Sequence, residues 1–76
     1  MENVRRVASF KVIKDNTTYE RIAIEIVGDK VVNYYSFSTE LPMTEWLGGT
    51  IELKRNTLGV LQAWKNGDLI TQDTED

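Results

Sequence analysis

The chain is predicted to be all-β: about six antiparallel strands in two three-stranded meanders, packed as a small barrel or sandwich, with one short helical turn near residues 43–47. Three observations predict this. Apolar and polar residues alternate with period two through several segments rich in β-branched residues. Gly28-Asp29 and Asn66-Gly67 each separate two such segments in the manner of a tight hairpin turn. Each meander carries one apolar face, and packing those faces together is the economical solution.

Residues 4–14 form the first strand, with Val4, Ala8, Phe10 and Val12 on the better apolar face and Arg6 interrupting it. Residues 19–27 alternate cleanly, Ile22, Ile24 and Ile26 against Arg21, Ala23 and Glu25. Between them, Asp15-Asn16-Thr17-Thr18 is turn chemistry. A four-residue loop sets Val12 against Arg21 and mixes the faces. A three-residue loop, 16–18, sets Val12 against Ile22, Phe10 against Ile24 and Ala8 against Ile26, and is the expected one.

Gly28 at the first central position suits a type II′ turn. The register it sets pairs Val27 with Lys30, Ile26 with Val31, Ile24 with Asn33 and Ile22 with Tyr35. Tyr35 and Phe37 then join the isoleucine face, and Asn33 is the polar exception that needs a partner there. Pro42 stops the ladder, Thr44 caps a helical turn ending at Gly48, and Trp46 and Leu47 plug an end of the core. In the second half, a four-residue turn at 56–59 places Ile51, Leu53, Val60, Trp64 and Leu69 on one face, with Leu61, Ala63 and Ile70 on the other. Residues 73–76 read as a frayed acidic tail after an ordered core spanning about 4–72 of a single domain.

Seventy-six residues bound what the domain can do. Size scaling gives a folded surface of roughly 4,700 Å² and a marginal core. There is no Cys, which removes disulfides and thiolate metal sites, and no His, the commonest zinc and copper ligand. No signal-peptide pattern or long apolar run is visible, so the expectation is a soluble cytoplasmic protein without a membrane segment. A net charge of -3 argues against general nucleic-acid binding, which wants a basic face.

Catalytic chemistry has little to work with. Ser-His and Cys-His pairs are impossible, and Ser9, Ser36 and Ser38 read as strand hydroxyls. Glu20, Glu25, Glu40, Glu45 and Glu52 read as solvated carboxylates beside bases such as Arg21 and Lys54. Gly48-Gly49 leads into Thr50 without the Gly-Lys spacing of a phosphate loop. No catalytic residue, cofactor or metal site is expected, and the chain reads as a non-enzyme.

The outer face of the second and third strands is unusually apolar. Tyr19, Ala23, Val27, Val32 and Tyr34 lie there, and they are the candidate interaction surface. Leu61, Ala63 and Ile70 make a second outer group, covered by the turn near Trp46 or forming an interface. The leading expectation is a small protein-interaction module that binds a protein partner or itself, as a homodimer, through a sheet edge or this outer face. The competing one is a small nucleic-acid-binding barrel. It would stack bases on Tyr34 and contact phosphate through Arg5, Arg6, Lys11 and Arg21.

The stretch Glu45-Trp46-Leu47-Gly48-Gly49-Thr50-Ile51-Glu52-Leu53, continuing to Lys65-Asn66-Gly67, resembles short β-rich proteins of gut Bacteroidetes. The resemblance carries no catalytic motif and transfers no functional residue. The strand count also resembles small Src-homology-type barrels, but those place their helical turn near the last strand rather than in mid-chain.

Overall fold

The computed structural model describes residues 3–39 and 43–74. It is all-β, as expected, and contains no helix among those residues. The strands are β1 (Arg5–Ser9), β2 (Lys11–Lys14), β3 (Thr17–Tyr19), β4 (Ile22–Val27), β5 (Lys30–Ser36), β6 (Glu45–Trp46), β7 (Thr50–Arg55), β8 (Leu61–Lys65) and β9 (Asp68–Ile70). They form a four-stranded sheet in the order β5-β4-β1-β6 and a five-stranded sheet in the order β3-β2-β7-β8-β9. The expected three-stranded meanders are therefore replaced by two larger, mixed sheets. The proposed helical turn is not formed: Glu45 and Trp46 make a strand parallel to β1, opposite Val7 and Ala8. The expected stop at Pro42 lies outside the described residues.

One long hairpin links the sheets. Its turn is Asp15-Asn16, both at positive φ (53° and 63°), so Lys14 pairs with Thr17 and Val12 with Tyr19. The two-residue turn is the type I′ geometry that short polar residues tolerate. The expected three-residue loop is thus wrong by an odd number of positions, which moves side chains to the other face. Val7, not Phe10, faces Ile24, and Ser9 faces Ile22.

Both strands of this hairpin turn a corner at the same level. Side chains of Val7 and Ser9 point inward in β1, but those of Val12 and Lys14 do so in β2, because Phe10 and Lys11 both face out. Glu20 and Arg21 do the same opposite them. Arg21 sits at φ 54°, and its N–H donates to the Phe10 carbonyl at 3.4 Å. Ser9 secures the corner: fully buried, its Oγ lies 2.9 Å from the Gly49 carbonyl and 3.1 Å from that of Lys11, and accepts the Lys11 N–H at 3.2 Å. The segment holding β6 and β7 follows the same corner in parallel, Val12 beside Ile51 and Lys14 beside Leu53.

The β4–β5 turn is as expected: Gly28 has φ 64°, Val27 pairs with Lys30 and Ile26 with Val31. Beyond that the ladder slips. Val32 is an extra residue, so Glu25 pairs with Asn33, Ile24 with Tyr34 and Ala23 with Tyr35. The bulge removes the polar exception from the core face. Asn33 instead donates to Glu25 at 3.4 Å on the outside, where Tyr35 Oη and Arg6 also bind that carboxylate.

The β7–β8 connection is also one residue longer than expected. Asn56 Oδ1 accepts the N–H groups of Leu58 (2.8 Å) and Val60 (3.0 Å), and Arg55 pairs with Leu61. The face of β8 inverts: Leu61, Ala63 and Ile70 are core, while Trp64 faces out with the Lys54 ammonium 5.0 Å from its ring centre. The Asn66-Gly67 hairpin itself keeps the expected pairing of Trp64 with Leu69. Between the sheets lie Val7, Val12, Ile22, Ile24, Ile26, Leu47, Ile51, Leu53, Leu61, Ala63 and Ile70.

The chain past β9 is bound, not frayed, as far as Thr74. The Gln72 N–H donates to Gly28 O at 2.7 Å, and its side chain bonds Gly28 N–H and the Asn3 carbonyl. Arg5 donates to the carbonyls of Thr71 (2.7 Å) and Thr74 (2.6 Å). The last two residues of the expected acidic tail lie outside the described residues.

Candidate interaction surface

The corner that aims Phe10 outward, the parallel pairing that sets Trp46 beside Ala8, and the end of β5 bring three aromatic rings together outside the first sheet. Phe10 and Trp46 stack with ring centres 5.0 Å apart, and Phe37 meets Trp46 edge-on at 5.3 Å. The Arg21 guanidinium lies over Phe10, 6.0 Å from its centre, and the Phe37 N–H donates 3.1 Å to the Arg21 carbonyl. A shallow cleft between Phe10, Arg21, Phe37, Thr39 and Trp46 completes the site. Phe10 is 60% exposed and Trp46 44%. By alternation, and for Trp46 by the expected helical turn, all three rings belong to the core. The missed signal is that Phe10 can join that core only if Arg6 joins it too.

The five residues expected to share an outer face do not. Ala23 is fully buried, flanked by the opposing Tyr35 and by Ala8. Val27 is half-buried beside the turn, and Val32 is the exposed bulge residue. Tyr19 and Tyr34 do come together, but on the inner side, at a pocket between the sheets. The bulge is responsible, since it exchanges the faces of Tyr34 and Tyr35.

The four bases of the competing reading are also dispersed. Arg5 grips Glu45 through two bonds of 2.9 and 3.0 Å while holding the segment after β9. Arg6 pairs with Glu25 at 3.0 Å, Arg21 covers Phe10, and Lys11 is exposed. Tyr34, the ring expected to stack bases, stands at the pocket between the sheets with Val12, Ile22 and Leu53, away from an outer face. The guanidinium hydrogen bonds of Arg5 hold the Glu45 carboxyl below its ordinary pKa, with burial opposing.

Little in this arrangement suits acid–base chemistry. Glu25 is bound by Arg6, Asn33 and Tyr35. Among the described residues, no cluster of three or more acids, His or Cys converges, and no buried side-chain polar atom lacks a partner. Nor is any helix long and apolar enough to cross a membrane. Comparison with protein-family models, curated proteins and solved structures found no significant match.

Proposed function

We propose that this chain is a non-catalytic protein-interaction module that docks through Phe10, Phe37 and Trp46, with a second copy of itself as the occupant. The observation that carries this reading is the set of Phe10 and Phe37 rings packed on Trp46 and held on the surface by the corner that Ser9 bonds. Rings that pack on one another outside the core are a preorganised apolar patch, the usual centre of a binding surface. Exposed Arg21 lines the cleft and its chain neighbour Glu20 is exposed as well, so the surface at the patch offers both charge signs. A two-fold interface needs such pairing of unlike groups within one surface.

The affinity follows from the area. At the observed exposures of 60% and 44%, Phe10 and Trp46 present about 230 Å². Two copies then cover about 460 Å², a gross gain of about 11 kcal/mol. Association costs roughly 4–15 kcal/mol, and a cost of about 6–7 kcal/mol leaves a weak dimer with Kd of about 0.1–1 mM.

Sedimentation equilibrium between about 10 μM and 1 mM tests it, those limits bracketing the weak affinity expected from the area. Wild type should gain mass with concentration, the gain falling modestly as salt screens the exposed Arg21 and Glu20, and Phe10→Ser should stay monomeric with an unchanged CD spectrum. A wild-type monomer throughout, or a Phe10→Ser variant that associates equally, overturns the proposal.

A further inference from the structure

The two sheets part where the tip of the first hairpin faces β5, and the gap is a pocket of about 260 Å³. Its floor is apolar and buried: Val12, Ile22 and Leu53. Its rim is polar. Tyr19 and Tyr34, 45% and 41% exposed, stand on it with Ser36 and Lys14. Neither tyrosine hydroxyl makes a hydrogen bond to another described residue, and no acid lines the pocket. Among the described residues the Lys14 ammonium is held by Asp15 alone, at 2.7 Å, and the Asp15 side chain is 83% exposed. That partner raises the lysine pKa, so the ammonium stays charged through the neutral range.

We propose that this pocket binds a small amphipathic carboxylate, with its hydrocarbon or phenyl body on Val12, Ile22 and Leu53 and its anionic end on Lys14 and the hydroxyls of Tyr19 and Tyr34. An apolar cavity with a few convergent polar groups is the ordinary form of a small-molecule site. Here every convergent group can donate a hydrogen bond and the single charge is positive, which selects a monoanion over a cation. The volume lies below the roughly 300–1,000 Å³ of drug-sized sites, so the ligand is small, on the order of ten heavy atoms. Asp15 is the internal competitor: the ligand carboxylate takes its place on Lys14. The site is separate from the aromatic cluster and does not depend on it.

The test is an amide chemical-shift titration at pH 7 with 3-phenylpropionate. Phenylpropanol and phenylpropylammonium are the controls. The acid should give saturable shifts at Lys14, Tyr19, Ile22, Tyr34 and Leu53, at least about tenfold tighter than either control, as expected for one charge-assisted contact. Lys14→Met should weaken it by about the same factor, and Asp15→Asn should tighten it. Phe10→Ser should change nothing, which keeps this result distinct from the dimerisation test. No saturable shift by millimolar ligand, equal binding of acid and alcohol, or shifts centred on Phe10 and Trp46 would overturn the proposal.

Discussion

Truncating Ile24 and Phe10 to alanine separates the observed register from the one the sequence suggests, in which the two residues face each other inside the core. In the structure Ile24 is fully buried, and Phe10 is 60% exposed. Ile24→Ala removes three carbon groups, about 2.4 kcal/mol of transfer free energy at 0.8 each. Its rigid neighbours, Val7 on β1 and Tyr34 on β5, cannot close the void fully. The expected cost is about 3–4 kcal/mol. Phe10→Ala loses mainly the stack on Trp46, about 0.5–1.5 kcal/mol. The total stability of a 76-residue domain is about 4–11 kcal/mol, so both variants should fold. Urea unfolding followed by far-UV CD is the assay, because Trp46 fluorescence would report the Phe10 change locally. With m near 1 kcal/mol/M, Ile24→Ala should lower the midpoint by about 3 M and Phe10→Ala by about 1 M. Equal losses near 3 M would place Phe10 in the core and refute the corner at residues 10–11. A loss below about 0.5 kcal/mol for Ile24→Ala would refute the core itself.

Other outcomes follow from single contacts. Ser9→Ala should cost about 1–3 kcal/mol in the same assay, because the buried corner loses the hydroxyl that satisfies its backbone groups. Asn16→Gly should stabilise by a few tenths to about 1 kcal/mol and Asn16→Val should destabilise, since φ there is 63°. The Glu45 carboxyl is more acidic when folded, so its contribution is present above its unfolded pKa and is lost as pH falls through its folded one. Glu45→Gln should therefore flatten the acid limb of a stability–pH curve, while costing at most about 1 kcal/mol at pH 7, because the glutamate is half exposed.

Much of the fold was legible because two-residue turns are local. Gly28-Asp29 and Asn66-Gly67 set their hairpins as the sequence implies, with Val27 opposite Lys30 and Trp64 opposite Leu69. The Ile22, Ile24 and Ile26 stripe is buried as its alternation predicts. The site was not legible. An alternating pattern carries a face assignment only until one extra residue intervenes, and the structure inserts such residues at the Phe10–Lys11 corner, at Val32 and in the 56–60 loop.

Composition, turn chemistry and period-two patterning thus determined an all-β domain, its tight turns and most of its isoleucine core. Tertiary structure alone decided which face each strand presents beyond a bulge, the parallel pairing of β6 and β7 with the first strands, and the surface meeting of Phe10, Phe37 and Trp46. The physical reason is range. Turns and alternation are settled within a few residues, whereas a bulge or a parallel register is stabilised by contacts dozens of residues away, such as Ser9 with Gly49.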